Sequence, residues 1–231
     1  MPTNTQQVTI PIENATLNYI IQHETRRFID NLDPSNPSTP TEIEIDLIQQ
    51  IKAQIQILNA DLDSKNRMVA PKALNHSQIA ELMMALYPIA KIIVSENEDD
   101  PDANVLAIYQ KEGKFKGTYR YNKKDLRKIA RQFKYGLNMR EFEEIEEVLK
   151  EKKKKKRRTT DPDLIAVENG IFNYKTKELQ PFDPELVYLS KSQVAYNEHA
   201  INIIIHNDDD DTDWDVETWV EELSDDPEIV K

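Results

Sequence analysis

Apolar residues recur at three- and four-residue intervals along most of the chain's first two thirds. Leu17, Ile20, Ile21, Phe28 and Ile29 predict a helix over residues 14–32, with Asn14 as its N-cap. Three prolines within Asp33–Pro40 break it. A second helix opens at Thr41, with Glu44 as its capping-box partner. It carries Ile48, Ile51, Ile55, Leu58 and Leu62 as a heptad-like seam of about two repeats. A seam that short leaves open both packing within its own domain and an oligomerising coiled coil. Asn75–Val94 reads as a third helix facing inward through Ile79, Leu82, Met83, Leu86, Ile89 and Ala90, with Pro88 kinking it or ending it early.

From Asn104 the period changes to two. Val105–Tyr109 and Lys116–Tyr121 predict a hairpin about Gly113, with Tyr119 and Tyr121 on one strand face. Asn122 caps a helix whose inner face is Leu126, Ile129, Ala130 and Phe133, and Gly136 ends it as the C′ residue. Another helix runs from about Met139 to about Arg158, turning Phe142, Ile145, Val148 and Leu149 inward. Glutamates crowd its first turns and lysines its last, an order that complements the helix dipole. After a loop at Thr159–Pro162, Leu164–Glu168 and Ile171–Lys175 flank Asn169-Gly170. That pair is the strongest short hairpin signal, because both turn positions require positive φ. Further short strands are predicted at Leu186–Leu189, Gln193–Tyr196 and Ile201–Ile205. Asn207–Asp213 is expected to be a mobile loop. Residues 215–223 read as a terminal helix with Val216, Trp219, Val220 and Leu223 on one side. The fold class is therefore α+β, mostly helical with small antiparallel β-hairpins. Its expected parts are 1–70, 71–206 and 207–231.

Composition narrows the function classes. The chain has 231 residues, of which 39% are hydrophobic and 31% charged. Globular chains usually reach roughly 45–50% apolar, so the core is expected to be lean. Four glycines are too few for a Gly-rich phosphate cradle, and no cysteine is present for a disulfide, a thiolate nucleophile or a Cys-based zinc site. No secretory leader and no membrane-length apolar run appear, so a soluble, cytoplasmic protein is expected.

Charge changes the picture more. The formal net charge is −12, but its distribution is segregated. Residues 1–110 sum to −8, residues 111–160 to +11 and residues 161–231 to −15. A basic block thus lies between two acidic flanks. Within it Lys152, Lys153, Lys154, Lys155, Lys156, Arg157 and Arg158 are consecutive, and Arg127, Lys128, Arg131 and Lys134 decorate the preceding helix. These residues are the candidate nucleic-acid contacts, because each neutralised phosphate releases counterions. Seven adjacent cations exceed what helix capping needs, and their mutual repulsion calls for an anion. That anion is either nucleic acid or the chain's own acidic C-terminal segment.

Other chemistry is missing. The chain has neither a G-x-x-x-x-G-K-[ST] loop nor a G-x-G-x-x-G fingerprint. His23, His76, His199 and His206 do not fall at metal-ligand spacing. Asp211, Asp213, Asp215 and Glu222 match four positions of a calcium loop, but Val216 occupies the position where its sharp turn requires glycine.

The order of residues in Asp163–Ala200 resembles the region that precedes the superfamily 3 helicase domain in phage and plasmid primase-helicases of the poxvirus-like group. The matching residues are Leu164-Ile165-Ala166-Val167, Asn169-Gly170, Thr176, Glu178-Leu179, Pro181, Pro184-Glu185, Tyr188-Leu189, Tyr196 and Ala200. The resemblance covers roughly residues 75–231. Trp219-Val220 and Asp225-Asp226-Pro227-Glu228 look like the lead-in to the helicase domain, and Asp208–Asp211 looks like an insertion there. The family's ATPase motifs lie further downstream, so no catalytic residue carries over, and ATP and magnesium are expected only in a downstream helicase domain. The resemblance implies a noncatalytic replication module. Its expected partners are single-stranded or forked DNA and a helicase ATPase domain or subunit, with possible homo-oligomerisation and no membrane. A protein-interaction adaptor without DNA contact is the alternative, and an independent enzyme ranks last.

Overall fold

The computed structural model describes residues 16–33, 38–95, 103–201, 203–216 and 218–219. Among them are five helices and nine strands, an α+β fold in which helix predominates.

Helix α1 (Leu17–Asp30) starts after Thr16, whose hydroxyl accepts from the Tyr19 N–H. The cap is therefore Thr16, and Asn14 lies outside the described residues. Helix α2 (Pro40–Ala60) starts two residues earlier than predicted. Thr39 is its N-cap and Glu42 completes the capping box, its carboxylate accepting from the Thr39 N–H at 2.8 Å. Pro40, read as part of a breaker, is a helix-starting proline. At N1 the missing N–H costs nothing and the fixed φ is already helical. The seam is Ile43, Leu47, Ile51, Ile55 and Leu58, and it is buried within this chain's own core against α1 and α4.

One carboxylate sits inside that packing. Glu24 is 1% exposed. It accepts from Gln50 Nε2 at 2.7 Å and has His23 Nδ1 at 3.0 Å and Arg27 at 3.6 Å. Gln78 Nε2 donates to Thr25 Oγ1 at 2.9 Å, which ties α1 to the third helix. A buried charge is tolerable only with such partners.

Helix α3 (His76–Leu86) stops before Pro88, and the predicted continuation is a strand, β1 (Ile89–Ile93). Pro88 biases Tyr87 out of the helical region, and the three β-branched isoleucines of Ile-Ala-Lys-Ile-Ile suit a sheet interior. β1 is an inner strand. It pairs antiparallel with β2 (Asn104–Tyr109), which pairs with the short β3 (Tyr119–Arg120). Ile89, Leu106 and Ile108 face the helical core. Ala90, Ile92, Ala107, Tyr109 and Tyr119 face a second, smaller core closed by Val187, with Phe182 and Leu189 packed against it. Residues 186–189 are thus not a strand but an irregular cover for the sheet. Tyr121 lies beyond β3 and is exposed, so it does not share the buried face of Tyr119.

Helix α4 (Lys123–Phe133) is capped by Asn122, as expected. Its C-cap is Lys134 in extended conformation, and Gly136 (φ +81°) serves the following turn rather than standing at C′. Helix α5 (Met139–Lys152) begins with an Asn138/Glu141 capping box. Downstream, β5 (Leu164–Val167), β6 (Gly170–Asn173) and β7 (Glu178–Gln180) form a three-stranded antiparallel sheet. Residues 193–196 run irregularly beside it, with the Glu168 N–H donating to Val194 O. The stretch expected to be a loop at Asn207–Asp213 closes a hairpin of β8 (Ile205–Asn207) and β9 (Thr212–Trp214). No helix among the described residues is long and apolar enough to cross a membrane.

Candidate nucleic-acid interface

The lysine run does not extend α5. The helix ends at Lys152, and Lys153 turns the backbone out with ψ 130°. Lys155–Lys156 form β4, which lies parallel to β1 at the open edge of the four-stranded sheet. Repulsion explains the departure. In a helix Lys152, Lys155 and Lys156 would stack at i, i+3 and i+4, whereas on an edge strand lysines are well solvated and deter pairing with another chain.

This geometry divides the seven cations. Lys152 pairs with Glu81 of α3. Lys156 Nζ reaches Glu185 at 2.9 Å. Lys153 is half-buried, and burial, reinforced by the charge of Lys156, lowers its ammonium pKa. Lys154, Lys155 and Arg158 are exposed, and their side chains make no hydrogen bond or ion pair among the described residues. Arg157 and Arg158 line an open cleft with Val94, Ser95, Thr159 and Thr160.

The α4 cations serve different ends. Lys134 donates to Glu141 at 2.6 Å, and that bond is the largest cause holding the Glu141 carboxyl below its usual pKa. Arg131 Nε donates to Leu137 O at 3.2 Å. Both therefore fasten the α4–α5 connection. Arg127 is half-buried, with its Nε lacking a partner. Lys128 is exposed on a groove shared with Tyr87, Gln110 and Gln132. α4 packs on α2 and α3, whereas β4 borders the sheet, so the two sets do not form one helical stripe.

A third cationic surface escaped the sequence reading. Residues 110–118 connect β2 to β3 and are tightly bonded. The Gln110 N–H donates to Thr118 O and the Gly117 N–H to Gln110 O, both at 2.9 Å. Thr118 Oγ1 donates to Phe115 O at 2.8 Å. The turn presents Phe115 at 40% exposure, with the Arg120 guanidinium 3.9 Å from its ring centroid. Lys111, Lys114, Lys116 and Lys124 are exposed around it along the chain, and Tyr121 is 59% exposed. The signal was present as alternating cations and aromatics in Lys111–Tyr121, but a search for strand periodicity passes over it.

The hairpin predicted at Asn169-Gly170 forms, but its turn sits one residue earlier and lacks the expected positive φ. Val167 pairs with Gly170, so the two turn residues are Glu168 and Asn169, and Gly170 opens β6 without positive φ. A Cβ on Gly170 would stand 2.4 Å from the Gln180 carbonyl oxygen, so glycine is required for the close approach of β7. Asn169 clamps Tyr196 in both directions, its Nδ2 donating to Tyr196 O and its Oδ1 accepting from the Tyr196 N–H, each at 2.9 Å.

The aspartates of the calcium-like spacing are used locally. Asp213 lies 2.8 Å from His206 Nδ1, and Asp215 Oδ1 accepts from the Thr218 N–H at 2.9 Å. Glu222 lies outside the described residues. Among those described, no group of three or more His, Asp or Glu is arranged to hold a metal ion.

A helical layer on a small mixed sheet, followed by β-hairpin sheets and edged with unpaired cations, defines a compact α+β module. The chain belongs to the D5 N-terminal-like family, whose profile matches residues 80–225, well over half its length. That family is the N-terminal region of phage and viral D5-type primase-helicases. No curated protein matches the chain.

Proposed function

We propose that this chain is a noncatalytic module of phage-type DNA replication that contacts DNA through cations and works beside a helicase ATPase. Family membership supports the replication setting. The observation that carries DNA contact is the exposure of Lys154, Lys155 and Arg158, whose side chains pair with no carboxylate among the described residues of a chain with 42 acidic groups. Where acidic groups are so abundant, unpaired adjacent cations point to an external polyanion such as a phosphate backbone. ATP and magnesium belong, in this reading, to the helicase partner. Fluorescence anisotropy of a labelled forked oligonucleotide at two salt concentrations tests it. K154Q/K155Q/R158Q is expected to bind more weakly and with a flatter salt dependence, by about one unit of slope per lost phosphate contact. Unchanged binding overturns the assignment.

A second reading rests on a separate observation. Ile201, Ile203, Ile204 and Ile205 are exposed, as are Trp214, Val216 and Trp219. That much apolar surface fits a docking face for the helicase domain, or for another copy of this chain. A pure adaptor predicts an oligomer that ignores DNA, which light scattering with and without oligonucleotide distinguishes.

A further inference from the structure

We propose that the β2–β3 turn is a stacking site for unpaired bases of single-stranded DNA, with Phe115 as its platform, Tyr121 as a second exposed ring past the end of β3, and the flanking lysines as phosphate contacts. The inference rests on the reading of this chain as a DNA-binding module and specifies the strand state that one surface takes.

Three observations carry it. The first is the ring itself. Phe115 is 40% exposed, with Arg120 Cζ 3.9 Å and Lys114 Nζ 5.9 Å from its ring centroid, so the ring is backed by cations and still presents surface to solvent. A flat π-system laid on a ring so backed gains stacking and cation–π attraction together. The second is rigidity. Gly117 (φ +85°) passes so close to Phe182 that a Cβ would fall 2.1 Å from its ring. The Tyr119 hydroxyl donates to Pro184 O at 2.6 Å, and the Tyr119 N–H donates to Tyr188 O at 2.7 Å. The turn is thus bolted to the segment behind it, and little ordering cost remains on binding. The third is charge. Residues 111–124 hold Lys111, Lys114, Lys116, Arg120, Lys123 and Lys124 against Glu112 alone. Of these, Lys123 alone is paired with a carboxylate among the described residues, Glu146 of α5 at 3.2 Å. Aromatic platforms beside a cationic track are the combination by which single strands are held without sequence preference. A duplex hides its base faces and offers such rings nothing to stack on.

The bland alternative is that the Phe115–Arg120 contact only latches the turn. The two are separated with the full chain and three fluorescein-labelled probes of about ten nucleotides: oligo(dT), an abasic strand of equal charge, and a blunt duplex. The wild-type chain is expected to bind oligo(dT) about tenfold tighter than the abasic strand. F115A/Y121A is expected to abolish that preference while keeping the wild-type salt slope, and F115W/Y121W to restore it. Equal wild-type affinity for oligo(dT) and the abasic strand overturns this inference alone. So does a preference that survives in F115A/Y121A. A wild-type chain that binds none of the three probes overturns the broader DNA-binding reading as well.

Discussion

The two basic stretches are both strongly cationic and end up in different physical situations. Lys152–Arg158 is the denser one, seven cations without interruption. Yet packing withdraws part of it. Lys152 is spent on Glu81, Lys156 on Glu185, and Lys153 is half-buried. The stretch from Lys111 to Lys124 is sparser and interleaved with aromatics, but among the described residues only Lys123 is tied to a carboxylate. It also sits on a turn locked from behind by Phe182 and Pro184. Local charge density is therefore a poor guide to available charge. What matters is how many cations the surrounding carboxylates leave unpaired and how firmly the backbone holds them.

The contrast can be broken most severely through its rigid side. Gly117→Ala is expected to destabilise the fold by about 2–4 kcal/mol in urea denaturation, because a strained positive φ adds to overpacking against Phe182. Gly113→Ala has similar φ but open space around it, and should cost only about 1–2 kcal/mol. Equal losses would show that the turn is not anchored by Phe182.

The same anchor predicts an alkaline dependence. Burial, aided by the nearby negative charge of Glu185 and by Tyr109 and Asp183, pushes the Tyr119 hydroxyl up to about 12. The folded state thus holds this proton more tightly than the unfolded chain, whose tyrosines titrate near 10. The stabilisation is complete below pH 10 and is lost as pH rises towards 12. In thermal melts between pH 9 and 12, Tyr119→Phe should start less stable, having lost its bond to Pro184, and then fall less steeply than the wild type.

Smaller effects sharpen the other side. Lys152→Ala removes one surface ion pair and should cost no more than about 1 kcal/mol. K154Q/K155Q/R158Q should leave stability within about 0.5 kcal/mol of the wild type, because its side chains hold nothing in place. A larger loss in the triple variant would mean that these cations are structural after all.

Much of the helical layer was legible because its signals are local. The apolar intervals of α1, α2, α4 and α5 and the Asn122 cap can be read within one turn of the chain. What failed depended on distant partners. Ile89–Ile93 continues the helical pattern of α3, and only pairing with β2 makes it a strand. Lys155–Lys156 looks like a helix end until β1 offers an edge to join. The turn signal of Asn169-Gly170 marks the hairpin but misses its turn by one residue, since Glu168 and Asn169 make it. Its reasons, the approach of Gln180 and the clamp on Tyr196, lie roughly ten and 27 residues further along and leave no local trace. The lysine run was legible as charge, but its division into paired and free cations follows from Glu81 and Glu185. The Phe115 surface was missed because alternation was read as strand pattern alone.

The most direct test is the salt slope of DNA binding, measured side by side for the wild type, K154Q/K155Q/R158Q and K114Q/K116Q/K124Q on one forked oligonucleotide. The account predicts a steep wild-type slope of log Kd against log salt, flattened in both variants, since each surface contributes phosphate contacts. Slopes identical to the wild type in both variants, or no binding at low salt, would contradict it.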